Sequence, residues 1–361
     1  MPNETHLNDL KAQIANKNLV IIAGTGVSVA ACGNQEIENY KVATWPGLLK
    51  HGLARCTANG SMPEEEAELF AKQVNLVKTN LLIMVAEQVS QSFRKRREGD
   101  YKLWLQETVG RLEPIHPEIL LALHAIPSIL ATLNYDDLIE KATHRKPYHW
   151  LERDVDKVEA ILRGEITDGV LHLHGYFDSP DSLVLGWESY TRVRTDNHIQ
   201  AVMRDFATSK TMLFVGCGAT LEDPNFSCLL EWAGNALQHA THRHYYLCMQ
   251  KELSAKQQDL RNAPWLNPLA YGEDYPDLVP FLQSLIPDSI TTPTPPVRGP
   301  TVPAFDFARY ADAIHGRYNR ARLESIEMTG GQYRQIELMK VFIPQNVREC
   351  QEYLPTVLEL P

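Results

Sequence analysis

Two glycine-containing turns are placed where main-chain atoms could approach a phosphate group. Each follows a short apolar run and precedes a helical pattern. The residues concerned are Gly24, Thr25, Gly26 and Ser28 in the first turn, and Gly216 and Gly218 in the second. Glycine allows the backbone to approach a diphosphate, and a helix that begins there offers unpaired N–H groups to the negative charge. Either turn alone is also explained as an ordinary tight turn, but two in one chain favour a dinucleotide site.

Polar side chains follow two further apolar runs. Asn134 ends the run 129–134 and Asp136 follows it, and His172 and His174 lie in the run 170–175. Ligands of open α/β sheets bind beyond the carboxyl ends of the strands, where a histidine can act as a general base near neutral pH. The alternatives are helix capping for Asn134 and Asp136 and a structural role in the core for the histidines. Because residues two apart share a face of a strand, the two imidazoles are expected to point the same way.

The elements that would position these residues alternate along the chain. Five apolar runs predict buried strands, and the patterns between them predict helices. The runs lie at residues 18–23, 129–134, 170–175, 212–216 and 244–249. Strands separated by helices indicate an α/β fold, a Rossmann-like parallel sheet with helices on both faces. Apolar residues at helical spacing between Pro63 and Leu112 predict a mostly helical insertion, assigned to residues 57–112.

Composition and charge exclude several classes of protein. The net charge of −10 disfavours nucleic acid as a partner, because it repels a phosphate backbone. The six cysteines form no CxxC pair, which argues against a paired-cysteine zinc site and against a disulfide framework, and no metal is expected. The first residues are polar, and the most apolar run, 81–86, is far shorter than the roughly 20 residues of a membrane span. We therefore expect a cytoplasmic protein that does not bind a membrane.

A change in composition divides the chain near its end. Residues 291–303 are rich in proline and threonine, which predicts a semi-rigid linker after a domain that spans residues 1–290. The segment 304–361 is short for an independent core. It resembles the stretch that precedes the nucleotide-binding core of STAND/NACHT-type NTPases, although no GxxxxGKS/T phosphate loop is present. The alternative is a C-terminal extension that packs on the domain or on another subunit.

In their order along the chain, the four motifs resemble those of the sirtuin (SIR2-like) superfamily, and most of all the SIR2-like domains of bacterial antiphage defence systems. The resemblance covers residues 18–286 and includes the segments 45–49 and 183–190. It implies that Asn134 and His174 are catalytic, with Asn134 orienting a water molecule and His174 acting as the base. The residues that it implies for binding NAD⁺ are Gly24, Thr25, Gly26, Ser28, Asp136, Gly216 and Gly218.

The sequence also departs from the sirtuins that deacylate proteins. Those enzymes carry a small module with four zinc-binding cysteines, which has no counterpart here, and the helical insertion occupies part of that stretch. Thr25 stands where deacylases usually have alanine. The resemblance thus implies an NAD⁺ glycohydrolase that releases nicotinamide and ADP-ribose and depletes NAD⁺ during infection. The alternatives are an NAD-dependent deacylase or ADP-ribosyltransferase, and a non-catalytic module that senses NAD⁺ or ADP-ribose. A homo-oligomer and a phage-derived trigger that acts through a sensor region absent from this chain are also implied.

Overall fold

The computed structural model describes residues 2–150, 154–218, 244–261, 263 and 265–287, and two short strands further along. The chain divides into two compact units, Met1–Pro293 and Thr294–Pro361. The expected linker, 291–303, lies outside the described residues. So does the segment 304–361, apart from an antiparallel pair of strands, Arg320–Ala321 and Ile336–Glu337.

A parallel sheet of seven strands organises the described part of the first unit. The strands are β1 (Leu19–Ala23), β2 (Ile129–Thr132), β3 (Lys146–His149), β4 (Gly169–His172), β5 (Thr211–Val215), β6 (His244–Cys248) and β7 (Leu266–Ala270). Their spatial order is β3-β4-β2-β1-β5-β6-β7, so β1 lies in the centre between β2 and β5. The α/β fold with a parallel sheet is confirmed, and the five strands expected from apolar runs are β1, β2, β4, β5 and β6.

Thirteen α-helices accompany the sheet within the described residues. They are α1 (Pro2–Ala15), α2 (Thr25–Ala31), α3 (Trp45–Ala58), α4 (Glu64–Val74), α5 (Thr79–Arg96), α6 (Glu98–Glu107), α7 (Glu118–Ala125), α8 (Leu138–Thr143), α9 (Val155–Leu162), α10 (Trp187–Thr195), α11 (Asn197–Ser209), α12 (Leu253–Asp259) and α13 (Leu278–Ser284).

The hydrophobic core lies on both faces of the sheet. Every residue of β1 is fully buried, and successive side chains of this strand enter two different clusters. Leu19 and Ile21 belong to the cluster that includes side chains of α1, α3, α5 and α7. Val20 and Ile22 belong to the other, which includes side chains of α10 and α11. A strand covered on both faces needs apolar residues at every position, which explains its continuous apolar run.

Helices α4, α5 and α6 occupy most of the predicted insertion. Phe93 of α5 stacks on Trp104 of α6 with 4.9 Å between ring centroids, and the Trp104 indole donates to Nδ1 of His51 in α3 over 3.1 Å. Phe93 and Trp104 belong to the same cluster as Leu19 and Ile21 of the central strand. These helices therefore extend the main core instead of forming a core of their own.

Two strands, β3 and β7, are not among those expected from the sequence. They are the two outer strands of the sheet, and each contains a proline, Pro147 in β3 and Pro268 in β7. Proline has no N–H to donate to a neighbour and is tolerated in a sheet mainly at its edge. The same prolines break the apolar pattern by which a strand is recognised in sequence.

Candidate functional site

A cavity of about 880 Å³ lies at the carboxyl ends of β1, β2, β4 and β5. Four loops that follow these strands contribute to its lining, and most of the residues predicted for the site are among them. Those residues are Thr25, Gly26, Asn134, Asp136, His174, Gly216 and Gly218. Gly24 and Ser28 are not part of the lining, but they contact residues that are.

The two glycine turns pack against each other through their backbones. The Gly24 N–H donates to the carbonyl of Val215, and the Gly26 N–H donates to the carbonyl of Gly216, both over 2.9 Å. A Cβ atom on Gly24 would lie 2.7 Å from the Gly216 oxygen, closer than real Cβ atoms come. Gly216 also has a φ of +66°, which side-chain-bearing residues rarely adopt. Close packing of the turns after β1 and β5 therefore accounts for glycine at positions 24 and 216. A Cβ on Gly218, in contrast, would meet nothing within 4 Å.

Asn134, Ser28 and Asp136 form a buried chain of hydrogen bonds. Nδ2 of Asn134 donates to the Gly24 carbonyl over 2.9 Å and to the Ser28 hydroxyl over 2.8 Å. The hydroxyl in turn donates to Oδ2 of Asp136 over 2.7 Å. Since a carbonyl can only accept, the Asn134 amide has one allowed orientation. Both amide hydrogens are engaged, so Oδ1 is the side-chain atom that can accept a hydrogen bond from a molecule in the cavity.

Burial changes the acidity of Asp136. Desolvation raises the pKa of this carboxyl from 3.8 to about 6, against the opposing effect of the hydrogen bonds from Ser28 and from the Leu138 N–H. The bond from Leu138, 3.2 Å long, lies at the start of α8. Asp136 thus accepts a hydrogen bond from the first N–H of this helix, although the N-cap residue is Asp137, and it also lines the cavity. A carboxylate with a raised pKa in a cleft is a common feature of functional sites.

The turn after β4 places His174 in the cavity wall. The next residue, Gly175, has a φ of +87°, and a Cβ there would lie 2.3 Å from the Ser182 carbonyl oxygen. The His174 carbonyl accepts a hydrogen bond from the Val184 N–H over 2.9 Å, and the Tyr135 hydroxyl donates to the Val184 carbonyl over 2.9 Å. Glycine at 175 therefore lets the segment around Val184 pack closely and hold the loops after β2 and β4 together.

His172 does not share the environment of His174, and the expectation that the two rings point the same way is wrong. Strand β4 ends at His172, so the alternation of side chains does not continue to His174. The ring of His174 lies 6.0 Å from that of Tyr190 and lines the cavity. His172 is fully buried below the cavity, with Nε2 2.7 Å from Oε1 of Glu140 and Nδ1 3.1 Å from the Asn134 carbonyl oxygen.

Aromatic and charged side chains of the cavity wall were not predicted from the sequence. They include Tyr190, Tyr246, His116, Glu118, Glu252 and Lys256. Tyr246 donates from its hydroxyl to the Cys217 carbonyl over 3.0 Å, and burial raises its pKa. The Lys256 ammonium lies 5.6 Å from the centre of the Tyr246 ring. Tyr246 and Lys256 come from β6 and α12, late in the chain, and no local motif in the sequence marks them.

The fold and the cavity define the class of this protein. The order of the strands reverses at β1, and the cavity lies at that point beyond the carboxyl ends of the strands. This is the site at which doubly wound α/β proteins bind their ligands.

Residues 128–269 match the family model of the SIR2-like domain, so this part of the chain is similar to that family. Domains of this family typically use NAD⁺. The matched region includes Asn134, Asp136, His174 and the second glycine turn. The first glycine turn precedes it and is joined to it by the hydrogen bonds of Asn134.

The described residues contain neither a metal-binding cluster of side chains nor a membrane-spanning helix. Within them, no group of three or more His, Cys, Asp or Glu side chains is arranged to hold a metal ion. No helix in this part of the chain has the length and apolarity to cross a bilayer.

Proposed function

We propose that this domain binds NAD⁺ and hydrolyses it to nicotinamide and ADP-ribose. The observation that carries the proposal is that Asn134 and His174 line one cavity together with residues of both glycine turns. The cavity volume of about 880 Å³ lies in the range of about 300–1,000 Å³ that is usual for small-molecule sites.

The chemistry requires orientation and charge stabilisation more than acid catalysis. When the bond between nicotinamide and ribose breaks, positive charge builds on the ribose and nicotinamide leaves as a neutral molecule. The site must therefore hold the ribose, stabilise the developing charge and keep a water molecule close to the ribose carbon. Asn134 suits the first and third tasks, because its amide is fixed at two points and Oδ1 can accept from a hydroxyl or a water.

Asp136 and His174 suit the remaining tasks. With a pKa of about 6, Asp136 is mostly ionised at neutral pH, and its carboxylate favours positive charge on a neighbouring ribose. His174 would take the proton that the attacking water loses as its oxygen bonds to the ribose carbon. General-base catalysis of this kind typically accelerates a reaction by about 10²–10⁴-fold.

Two other classes of function make different predictions. A protein deacylase or an ADP-ribosyltransferase would consume an acylated peptide or modify an acceptor. A binding module that senses NAD⁺ or ADP-ribose would bind its ligand tightly without turnover. The presence of an oriented amide and a histidine in one cavity favours an enzyme, because binding alone does not require a base.

The experiment is to incubate the purified chain with NAD⁺ and to identify the products by chromatography. Wild type is expected to release nicotinamide and ADP-ribose in equal amounts. Asn134→Ala and His174→Ala are expected to lose at least about 10²-fold in kcat, while calorimetry shows that His174→Ala still binds NAD⁺. His124→Ala is the matched control, because His124 is exposed on α7 and does not line the cavity.

Three outcomes would change the proposal. Full activity of a folded His174→Ala protein would remove His174 from the mechanism. Modified peptide or acceptor protein in place of free ADP-ribose would favour the transferase or deacylase. Tight binding of NAD⁺ without turnover at high protein concentration would favour the binding module.

We also propose the biological setting that the sequence resemblance implies. The domain would act as the toxic effector of an antiphage system, as a homo-oligomer in the cytoplasm. A phage-derived trigger would act through a sensor region that is not part of this chain, and NAD⁺ depletion would then stop the infected cell. Expression of wild type and of Asn134→Ala in bacteria, with growth and NAD⁺ measured over time, tests whether the domain is a toxic effector that depletes NAD⁺.

A further inference from the structure

A buried pair of ionisable side chains lies directly behind the candidate site. His172, the last residue of β4, is fully buried, and Glu140 of α8 is 9% exposed at its side chain. Nε2 of His172 lies 2.7 Å from Oε1 of Glu140. The pair does not line the cavity, so it does not contact a bound ligand directly.

The two neighbours of the His172 ring determine where its protons lie. A carboxylate accepts at Nε2, and the carbonyl of Asn134 can only accept at Nδ1, over 3.1 Å. Nδ1 therefore carries a hydrogen and donates it to Asn134. Although burial opposes the charged form, the charge and hydrogen bond of Glu140 and the carbonyl of Asn134 outweigh it and raise the pKa of His172.

Asn134 is held at three places as a result. Its N–H donates to the Thr132 hydroxyl over 3.1 Å, and its side-chain amide is held by Gly24 and Ser28. The bond from His172 fixes the third group, the carbonyl, and with it the peptide plane between Asn134 and Tyr135. Glu140 also leaves its second oxygen, Oε2, buried without a hydrogen-bond partner in the described structure. Burying such an atom costs stability, so packing alone does not explain a glutamate here.

We propose that His172 and Glu140 are positioning residues for the NAD⁺ site: Glu140 holds the His172 ring so that Nδ1 donates to the Asn134 carbonyl and fixes the side chain of Asn134 toward the cavity. This inference rests on the proposed function, since it assigns Asn134 the task of orienting the ribose or the water.

Other charged and titratable groups face the pair from neighbouring elements. Asp136 acts on His172 from the loop after β2, and the ring of Tyr176 lies 4.9 Å from the His172 ring. His149 of β3 is the register partner of His172, and its Nδ1 lies 3.4 Å from Asp154. The buried His149 and the partly exposed Asp154 thus form a second histidine–carboxylate pair, which is absent from the cavity lining.

The test compares three variants with wild type. The double variant His172→Leu/Glu140→Leu removes the pair without leaving a buried charge, a replacement that is often neutral or stabilising. Glu140→Gln removes the negative charge, but its amide can donate to Nε2 and so keeps the hydrogen on Nδ1. His149→Leu is the matched control, because it alters a buried histidine of the neighbouring strand.

Two readouts distinguish positioning from a structural role. The double variant is expected to lose about 10–100-fold in kcat with KM within about threefold, as expected for a misplaced catalytic group. Hydrogen–deuterium exchange of the segment 133–137 is expected to become faster in this variant, while β1 exchanges as in wild type. Glu140→Gln should stay within about threefold of wild type in kcat and keep slow exchange. His149→Leu should leave kcat and the exchange of segment 133–137 unchanged.

Contrary results would refute either the positioning role of the pair or the proposed function. A double variant with wild-type kcat and wild-type exchange would overturn the proposal, as would a Glu140→Gln protein that loses as much as the double variant. If the double variant does not fold, Glu140→Leu, which removes the acceptor at Nε2, should show faster exchange at 133–137, and unchanged exchange would refute positioning. If wild type consumes no NAD⁺, the proposed function fails, whereas the exchange measurement still decides whether the pair holds Asn134.

Discussion

Replacing Asp136 by asparagine is expected to change how the stability of the protein depends on pH. Burial raises the pKa of Asp136 from 3.8 to about 6 in the folded protein. At pH values between 3.8 and about 6, the Asp136 carboxyl holds a proton in the folded state that it has released in the unfolded chain. The free energy of unfolding therefore falls as the pH rises through this range. Asp136→Asn has no titratable group at this position and lacks this dependence.

The size of the effect follows from the two pKa values. The interval from 3.8 to about 6 corresponds to a total loss of roughly 3 kcal/mol, because one pKa unit is worth about 1.4 kcal/mol. About 2.4 kcal/mol of this is lost between pH 4 and pH 7. Roughly half of this loss occurs above pH 5, where ordinary exposed carboxylates are already ionised in both states.

Urea denaturation of wild type and Asp136→Asn from pH 4.5 to pH 8 measures the effect. The free energy of unfolding of the variant minus that of wild type is expected to increase by about 2 kcal/mol over this range and to be constant above pH 7. Groups common to both proteins largely cancel in the difference. Parallel stability curves would refute the raised pKa, and a difference that falls with pH would show that the pKa of Asp136 is lowered instead.

Three further substitutions test the architecture of the site. Gly216→Ala is expected to destabilise the protein by about 2–4 kcal/mol in urea denaturation, since it forces an L residue into a φ of +66° and places a Cβ 2.7 Å from the Val27 nitrogen. Gly218→Ala has open space around its Cβ and should stay within about 0.5 kcal/mol of wild type in the same measurement. Ser28→Ala removes the hydroxyl that joins Asn134 to Asp136 and is expected to lower NAD⁺ turnover by about 10–100-fold, equivalent to the loss of about 1.4–3 kcal/mol. Equal free energies of unfolding for Gly216→Ala and Gly218→Ala, or wild-type kcat in Ser28→Ala, would contradict these expectations.

The inner part of the sheet was predictable from sequence, and its outer part was not. β1 is covered on both faces, so its residues form an uninterrupted apolar run that any strand criterion detects. The outer strands β3 and β7 have one neighbour each and tolerate polar residues and proline, as in Lys146–His149. Their assignment depends on the neighbouring strand, which lies elsewhere in the sequence.

The residues of the candidate site could be predicted, but their contacts could not. Asn134 and His174 stand out because they follow apolar runs that end in loops. The bonds from Asn134 to Ser28 and from Ser28 to Asp136 join residues 106 and 108 positions apart, and no local pattern encodes such pairs. For the same reason the sequence does not predict the bond between His172 and Glu140, which is 32 positions away.

The prolines of the two outer strands also bear on how copies of this protein can associate. A strand that contains proline presents an interrupted row of N–H donors, so an additional strand cannot pair regularly along it. With Pro147 at one edge and Pro268 at the other, the described sheet is protected against edge-to-edge aggregation on both sides. Subunits that assemble are therefore expected to join through their helices and loops, and not by continuing the sheet from one copy into the next.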